Sequence, residues 1–172
     1  MKLHIGGTER QEGWLILDID PRPEVDIVGD ARSLAQFGDS SIETLYASHV
    51  LEHFHHRWQG EVLAVLREWY RVLQPGGELW LSVPNLAVLA WLLLHPDLPP
   101  DGHWVILSMI YGGQDNAYDI HRVGFTQHIL SCYLADAGFA ELRRQETFGL
   151  FADTSSLKIL NQYISLNVIA SK

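Results

Sequence analysis

Cysteine is almost absent: Cys132 stands alone among 172 residues. An intrachain disulfide and a thiolate metal cluster are thereby excluded, and Cys132, inside a predicted helix, is expected as a buried core thiol. Long apolar runs are also missing. The most hydrophobic stretch, LAVLAWLLL (Leu86–Leu94), falls well short of the roughly 20 residues that a spanning helix needs. Basic residues are scarce, with Lys and Arg numbering 12 against 21 Asp and Glu, for a net charge of -9. No basic stripe is available to grip a phosphate backbone, so no nucleic-acid partner is expected. The start, MKLHIGGTER, has no long apolar segment, so no signal peptide and a cytoplasmic location are expected. Repeats, low-complexity tracts and long polar linkers are absent as well.

What is present is a globular composition, 47% hydrophobic and 19% charged. A chain of this length is expected to form one domain over residues 1–172. Its front half alternates short apolar runs with loops: KLHI (Lys2–Ile5), WLILDI (Trp14–Ile19), VDIVGD (Val25–Asp30), ETLYAS (Glu43–Ser48) and GELWLSVP (Gly77–Pro84). Near-continuous apolar runs suit parallel strands buried on both faces. A helix is predicted from about Trp58 to Leu73, with Trp58, Val62, Val65, Leu66, Trp69, Val72 and Leu73 on one face and Pro75-Gly76-Gly77 ending it. LAVLAWLLL is apolar all round, which fits a buried helix or a subunit contact such as a homodimer face. HWVILSMIYGG reads equally as helix or strand. GGQDNAYDIHRVGF is a long loop, and such loops often carry function. Thr126 is a plausible N-cap for a helix that ends near Ala137 at Gly138. Strands near Phe139–Glu146 and Gln162–Ala170 close the chain as a hairpin-like edge pair. The links between the first three strands are too short for ordinary parallel crossovers, so either these strands are not all parallel neighbours or their helices have shrunk to turns.

One stretch, YASHVLEHFHHRW, concentrates histidine: His49, His53, His55 and His56. Its H-V-L-E-H fits the spacing H-x-x-E-H of the inverzincin zinc hydrolases. A zinc hydrolase using His49, Glu52 and His53 would need both histidines on one helical turn and a third ligand. ETLYAS reads as strand up to His49, which opposes that geometry, and no metal is expected. His55 and His56 read as solvated loop residues.

In register, the chain resembles the class I S-adenosylmethionine-dependent methyltransferases, most of all short bacterial members of the methyltransferase-11 type. LHIGG stands where their first strand meets a glycine loop, and LDIDP where the second strand ends in an acidic residue. GDARSLAQFGDSSIETLYASHVLEHF matches their third and fourth strands, LREWYRVLQPGGELWLSVPN their helix, turn and fifth strand, and FTQHILSCYLADAGF a late helix. The resemblance covers most of the chain and is most specific from Asp30 to Pro84. It implies an α/β, Rossmann-like sheet, mostly parallel, with an antiparallel C-terminal edge strand and the first crossover helices shortened or missing.

It also implies S-adenosyl-L-methionine as cofactor and a small-molecule acceptor. Gly6 and Gly7 would admit backbone close to the methionine portion. Asp18, with Ile19 beside it, would accept from the ribose hydroxyls; Asp20 is the nearer competitor, on the same side by alternation. Asp30 would accept from the adenine amino group and the Ala31 amide would donate to the ring. Ser48 and His49 would line the site. The glycine loop reads GGTER, and the helix after it is missing; Thr8 and Arg10 stand in for its N-terminus, with Arg10 pairing the cofactor carboxylate. His53 is the first candidate general base and His49 the second; the competing reading has Glu52 and His53 buttressing a helix start. His121, Arg122 and Tyr111 are candidate substrate contacts, although Trp104 and Tyr111 read more readily as core. The other open reading is a non-catalytic relative that has lost its cofactor and serves as a binding protein.

Overall fold

A computed structural model describes residues 1–172. In chain order the elements are β1 (Lys2–Ile5), β2 (Trp14–Asp18), β3 (Ile27–Val28), β4 (Ile42–Ser48), α1 (Glu61–Val72), β5 (Leu73–Pro84), α2 (Leu86–Leu93), α3 (Pro100–Tyr111), α4 (Gln127–Ala137), β6 (Ala140–Gln145), β7 (Lys158–Ile159), β8 (Gln162–Tyr163) and β9 (Ser165–Ser171). One seven-stranded sheet runs in the order β3-β2-β1-β4-β5-β9-β6. The neighbours from β3 to β5 are parallel, and β9 lies antiparallel to both β5 and β6 at the C-terminal edge. Strand order reverses between β1 and β4. That is the point in an open α/β sheet where a crevice opens beyond the strand ends.

The short early links are turns. Residues 6–13 join the parallel pair β1 and β2, and residues 19–26 join β2 to β3, with no helix in either. Right-handed crossovers would place those helices on the sheet face opposite α1. Alternation shows how that face is closed instead. Leu3, Ile5, Leu17, Leu45, Leu79 and Leu81 join the core cluster that contains the α1 and α4 side chains. His4, Tyr46 and Trp80, paired across β1, β4 and β5, point the other way. They meet aromatic side chains from the 146–157 segment: His4 lies 4.1 Å from Phe151 and Trp80 5.5 Å from Phe148, by ring centroids. The Tyr46 hydroxyl donates to Asp153 at 2.6 Å and anchors the segment. An aromatic cover thus replaces two helices.

Several expectations need correction. The helix starts at Glu61; Trp58 sits in a 3-10 turn and is 66% exposed, so it is not part of the buried face. Leu73 is buried, but as the first residue of β5. The third strand shrinks to Ile27–Val28; Asp26 Oδ2 takes the Ile16 N–H and so removes that donor from the ladder. Cys132 is exposed on α4, whose buried face is Leu130, Leu134 and Ala137. The undecided segment is helix α3, begun by Pro100 in its first turn, and both Trp104 and Tyr111 lie on its exposed side. Leu89 and Leu92 of α2 are buried with Leu98, Ile106 and Ile164, while Trp91 and Leu94 of the same segment are exposed. Thr126 caps α4 by accepting from the Ile129 N–H, and Gly138 ends it at φ 108°. No helix is long and apolar enough to cross a membrane.

Candidate active site

A cavity of about 420 Å3 opens at the C-terminal ends of β1, β2 and β4. That volume suits a small-molecule site. Of the residues singled out in the sequence, Gly6, Asp18, Ile19, Asp30, Ala31, His49, His53 and Arg122 line it, as does Asp20. Gly6 leaves β1 at φ 75°, a conformation that disfavours a side chain, and a Cβ there would stand 2.7 Å from Val50 Cγ2. Asp18 ends β2. Its Oδ1 accepts the Asp20 N–H at 2.8 Å, and its Oδ2 accepts from Arg22 at 2.9 Å. Arg22 also donates to the Gly7 carbonyl. Asp20 is the more exposed carboxylate, so Asp18 is the better-oriented of the two.

The loop that carries Asp30 and Ala31 is held by α1. Trp69 Nε1 donates to the Ala31 carbonyl at 2.9 Å, Glu68 accepts the Leu34 N–H, and Arg71 donates to the Leu34 and Phe37 carbonyls. Arg32 forks onto Asp30, and that guanidinium holds the Asp30 carboxyl below its ordinary range.

Gly7, Thr8, Arg10, Ser48, His121 and Tyr111 do not line the cavity. Gly7 packs against the His4 ring. Thr8 lies on the surface, and Arg10 is turned to the Pro23 carbonyl and Asp26, away from the cavity. The cavity's guanidinium groups are instead those of Arg22, Arg32 and Arg122. His55 is half-buried and bonded to Glu61, a correction to its reading as a solvated residue; His56 is exposed. Residues 116–119 also line the cavity. Their loop folds tightly because Gly112 sits at φ 85°, where a Cβ would stand 2.4 Å from the Asp119 carbonyl oxygen.

At the mouth of β4 lies a cluster of titratable groups. His49, the residue after β4, has φ 55°, a sparsely populated conformation for a residue with a side chain. Glu52 and His53 lie in a 3-10 turn rather than on an α-helix, so H-V-L-E-H lacks the helical geometry of a zinc hydrolase. Glu52 is fully buried, and neither carboxylate oxygen has a hydrogen-bond donor. His49 Nδ1 stands 3.4 Å and His121 Nε2 3.9 Å from Glu52 Oε1. Burial pushes the Glu52 carboxyl up to about 8 and His49 down to about 4, and it lowers His53 and His121 as well. The three imidazoles are therefore neutral near pH 7.

Residues 11–81 match the family model described as a methyltransferase domain. The fold is that of the class I methyltransferases. Among solved structures, a SAM-dependent methyltransferase from Archaeoglobus fulgidus superposes with a TM-score of 0.63 at 16% identity, covering 99% of this chain and 85% of that one. A Burkholderia thailandensis 1,6-didemethyltoxoflavin-N1-methyltransferase, solved with 1,6-didemethyltoxoflavin and S-adenosylhomocysteine, gives 0.58 at 14% identity, over 99% and 70%. The chain spans 61% of a structure from Bordetella parapertussis described as a "possible exported protein", at a TM-score of 0.59, 15% identity and 99% coverage of this chain. Identities this low establish the methyltransferase fold alone. No curated protein matches the sequence.

Arg22 and Arg32 line the cavity without having been singled out in the sequence, and in the long loop His121 and Arg122 were singled out but not residues 116–119. Arg22 had a signal in its position four residues after Asp18. The loop had only its length and its paired glycines.

Proposed function

We propose that the protein transfers a methyl group from S-adenosylmethionine to a small-molecule acceptor. The observation that carries this reading is the pairing of Asp18 and Asp30 on one cavity, at the strand-order switch of a class I methyltransferase sheet. The residues fit the cofactor. Asp18 offers its carboxylate to a ribose diol, Asp30 to an exocyclic amine, and Gly6 leaves room that a Cβ would fill. When bound, the cofactor supplies a methyl group on a sulfonium, an electrophile that needs alignment more than acid or base help.

This chain's residues do the positioning. Arg22 fixes the Asp18 carboxylate, and Trp69, Glu68 and Arg71 fix the adenine-side loop. His49 and His53 line the cavity together with residues 116–119 and Arg122, and this is the end we assign to the acceptor. His53 Nδ1 faces the Ile120 carbonyl at 3.2 Å, so it carries the proton and leaves Nε2 as an acceptor for a substrate hydroxyl or amine. The small cavity and the acidic surface favour a small acceptor over a nucleic acid. The test is release of S-adenosylhomocysteine in a screen of small hydroxyl- and amine-bearing acceptors, with Asp18→Ala as the blank. Acceptor-dependent release absent from Asp18→Ala supports the reading; release that persists in that variant contradicts it.

A further inference from the structure

Hydrogen-bond accounting around Glu52 leaves a gap. His121 Nδ1 lies 3.0 Å from the Met109 carbonyl, and His53 Nδ1 faces the Ile120 carbonyl. Carbonyl oxygens only accept, so both Nδ1 atoms carry protons and both Nε2 atoms keep bare lone pairs. Ser165 Oγ donates to the Thr154 carbonyl and so accepts from His49 Nε2 at 2.8 Å; His49 Nδ1 is bare as well. These lone pairs face the buried Glu52 carboxyl, whose two oxygens have no donor. A single proton on that carboxyl can be shared with one imidazole only, and a cation set between the carboxyl and the imidazoles meets the remaining lone pairs.

We infer that Glu52, His53 and His121 form a binding site for a borderline divalent transition-metal ion of the zinc type, beside the cavity. One donor atom from each lies within 4.8 Å of the others. Around a tetrahedral ion with bonds near 2.0–2.2 Å, donor atoms stand roughly 3.4 Å apart, so the trio needs only a modest contraction. Two imidazoles and one carboxylate are the donor set of a site that keeps a position open. The backbone carbonyls on both Nδ1–H groups fix tautomer and ring orientation, as outer partners do in metal sites. His49 Nδ1, 3.4 Å from the same carboxylate oxygen, is placed as a fourth donor or as a partner to what binds. The loop that brings His121 is fastened to Glu52 itself, whose carbonyl accepts the Arg122 and Val123 N–H groups at 2.8 and 3.3 Å. Because His53 and His49 line the cavity, the ion is reached from the acceptor end. With the ion bound, His53 serves as its ligand rather than as a base, and the open position takes an oxygen or nitrogen of the acceptor.

The experiment uses protein purified without a histidine tag and dialysed against a chelator, then titrated with Zn2+ in competition with a chromophoric chelator. Wild type is expected to take up one equivalent, to be stabilised by Zn2+ in thermal unfolding, and to bind Mg2+ far more weakly. Glu52→Gln and His121→Ala should each weaken the Zn2+ affinity at least about 10- to 100-fold. Circular dichroism checks that both variants remain folded. His103→Ala and His128→Ala, on exposed helix surfaces, should leave uptake unchanged. No uptake by wild type, or uptake undiminished in folded Glu52→Gln and His121→Ala, would overturn the site. Binding of S-adenosylhomocysteine to metal-free protein is measured separately, so metal and cofactor readings fail independently.

Discussion

Replacing Asp18 by alanine should separate cofactor affinity from stability. In the folded protein the carboxylate holds one backbone N–H at 2.8 Å and the Arg22 guanidinium at 2.9 Å, with the arginine side chain about one-third exposed. Solvent screens that ion pair, so the stability cost is about 1–2 kcal/mol. The cost to cofactor binding is larger. A ribose diol donating to this carboxylate makes two hydrogen bonds to a charged group, each contributing about 1.5–3 kcal/mol. Losing both removes roughly 3–6 kcal/mol, or a factor of at least about 100 in affinity. Asp18→Asn keeps one acceptor oxygen and the side chain's shape, and should fall between wild type and Asp18→Ala. Isothermal calorimetry with S-adenosylhomocysteine gives the affinities, and thermal unfolding gives the stabilities. An Asp18→Ala protein that stays folded and binds S-adenosylhomocysteine within about threefold of wild type, under 0.7 kcal/mol, refutes the assignment.

Other outcomes follow from particular contacts. Burial lowers His4 from 6.5 to about 4, so between those values the unfolded chain binds the extra proton and stability falls as pH drops. That loss is roughly 3 kcal/mol by pH 4, and His4→Leu should flatten the acid limb of a denaturation series from pH 8 to 4; an unchanged limb counts against it. Trp69→Phe leaves the buried Ala31 carbonyl without its donor. It should cost about 1–3 kcal/mol in denaturant unfolding and loosen cofactor binding; a stability within error of wild type would show that the bond does not hold this loop. Gly6→Ala and Gly13→Ala both place a side chain at positive φ, but only Gly6 meets a neighbour and lines the cavity. Both should lose about 1–2 kcal/mol of stability, and only Gly6→Ala should also lose affinity for S-adenosylhomocysteine. Equal losses of affinity would point to a general effect of strain.

The main strands were largely legible because β1, β2, β4 and β5 appear as near-continuous apolar runs, although their order in the sheet was not. The shortened crossovers could be anticipated from chain length between those runs. The aromatic cover that replaces the helices could not, because Phe148 and Phe151 reach His4 and Trp80 from a segment without regular structure. Helix α3 was ambiguous because Trp104 and Tyr111 lie exposed, which blurs its apolar face. Asp18 and Asp30 were singled out through the family resemblance, and both line the cavity. His121 was visible as a loop residue, but its place behind His53 was not. It depends on backbone bonds from Arg122 and Val123 to the Glu52 carbonyl, a contact across distant parts of the chain. Arg10 was expected at the glycine turn from its nearness in the chain, but it is turned to the Pro23 carbonyl and Asp26, while Arg22, folded back from the next turn, donates to the Gly7 carbonyl.

The most direct test of the central claim is a crystal structure of the protein with S-adenosylhomocysteine. The adenosine is expected between Asp18 and Asp30, with the ribose hydroxyls on Asp18 and the sulfur turned toward His49 and His53. A cavity left empty at saturating ligand, or a ligand bound away from both carboxylates, would contradict it.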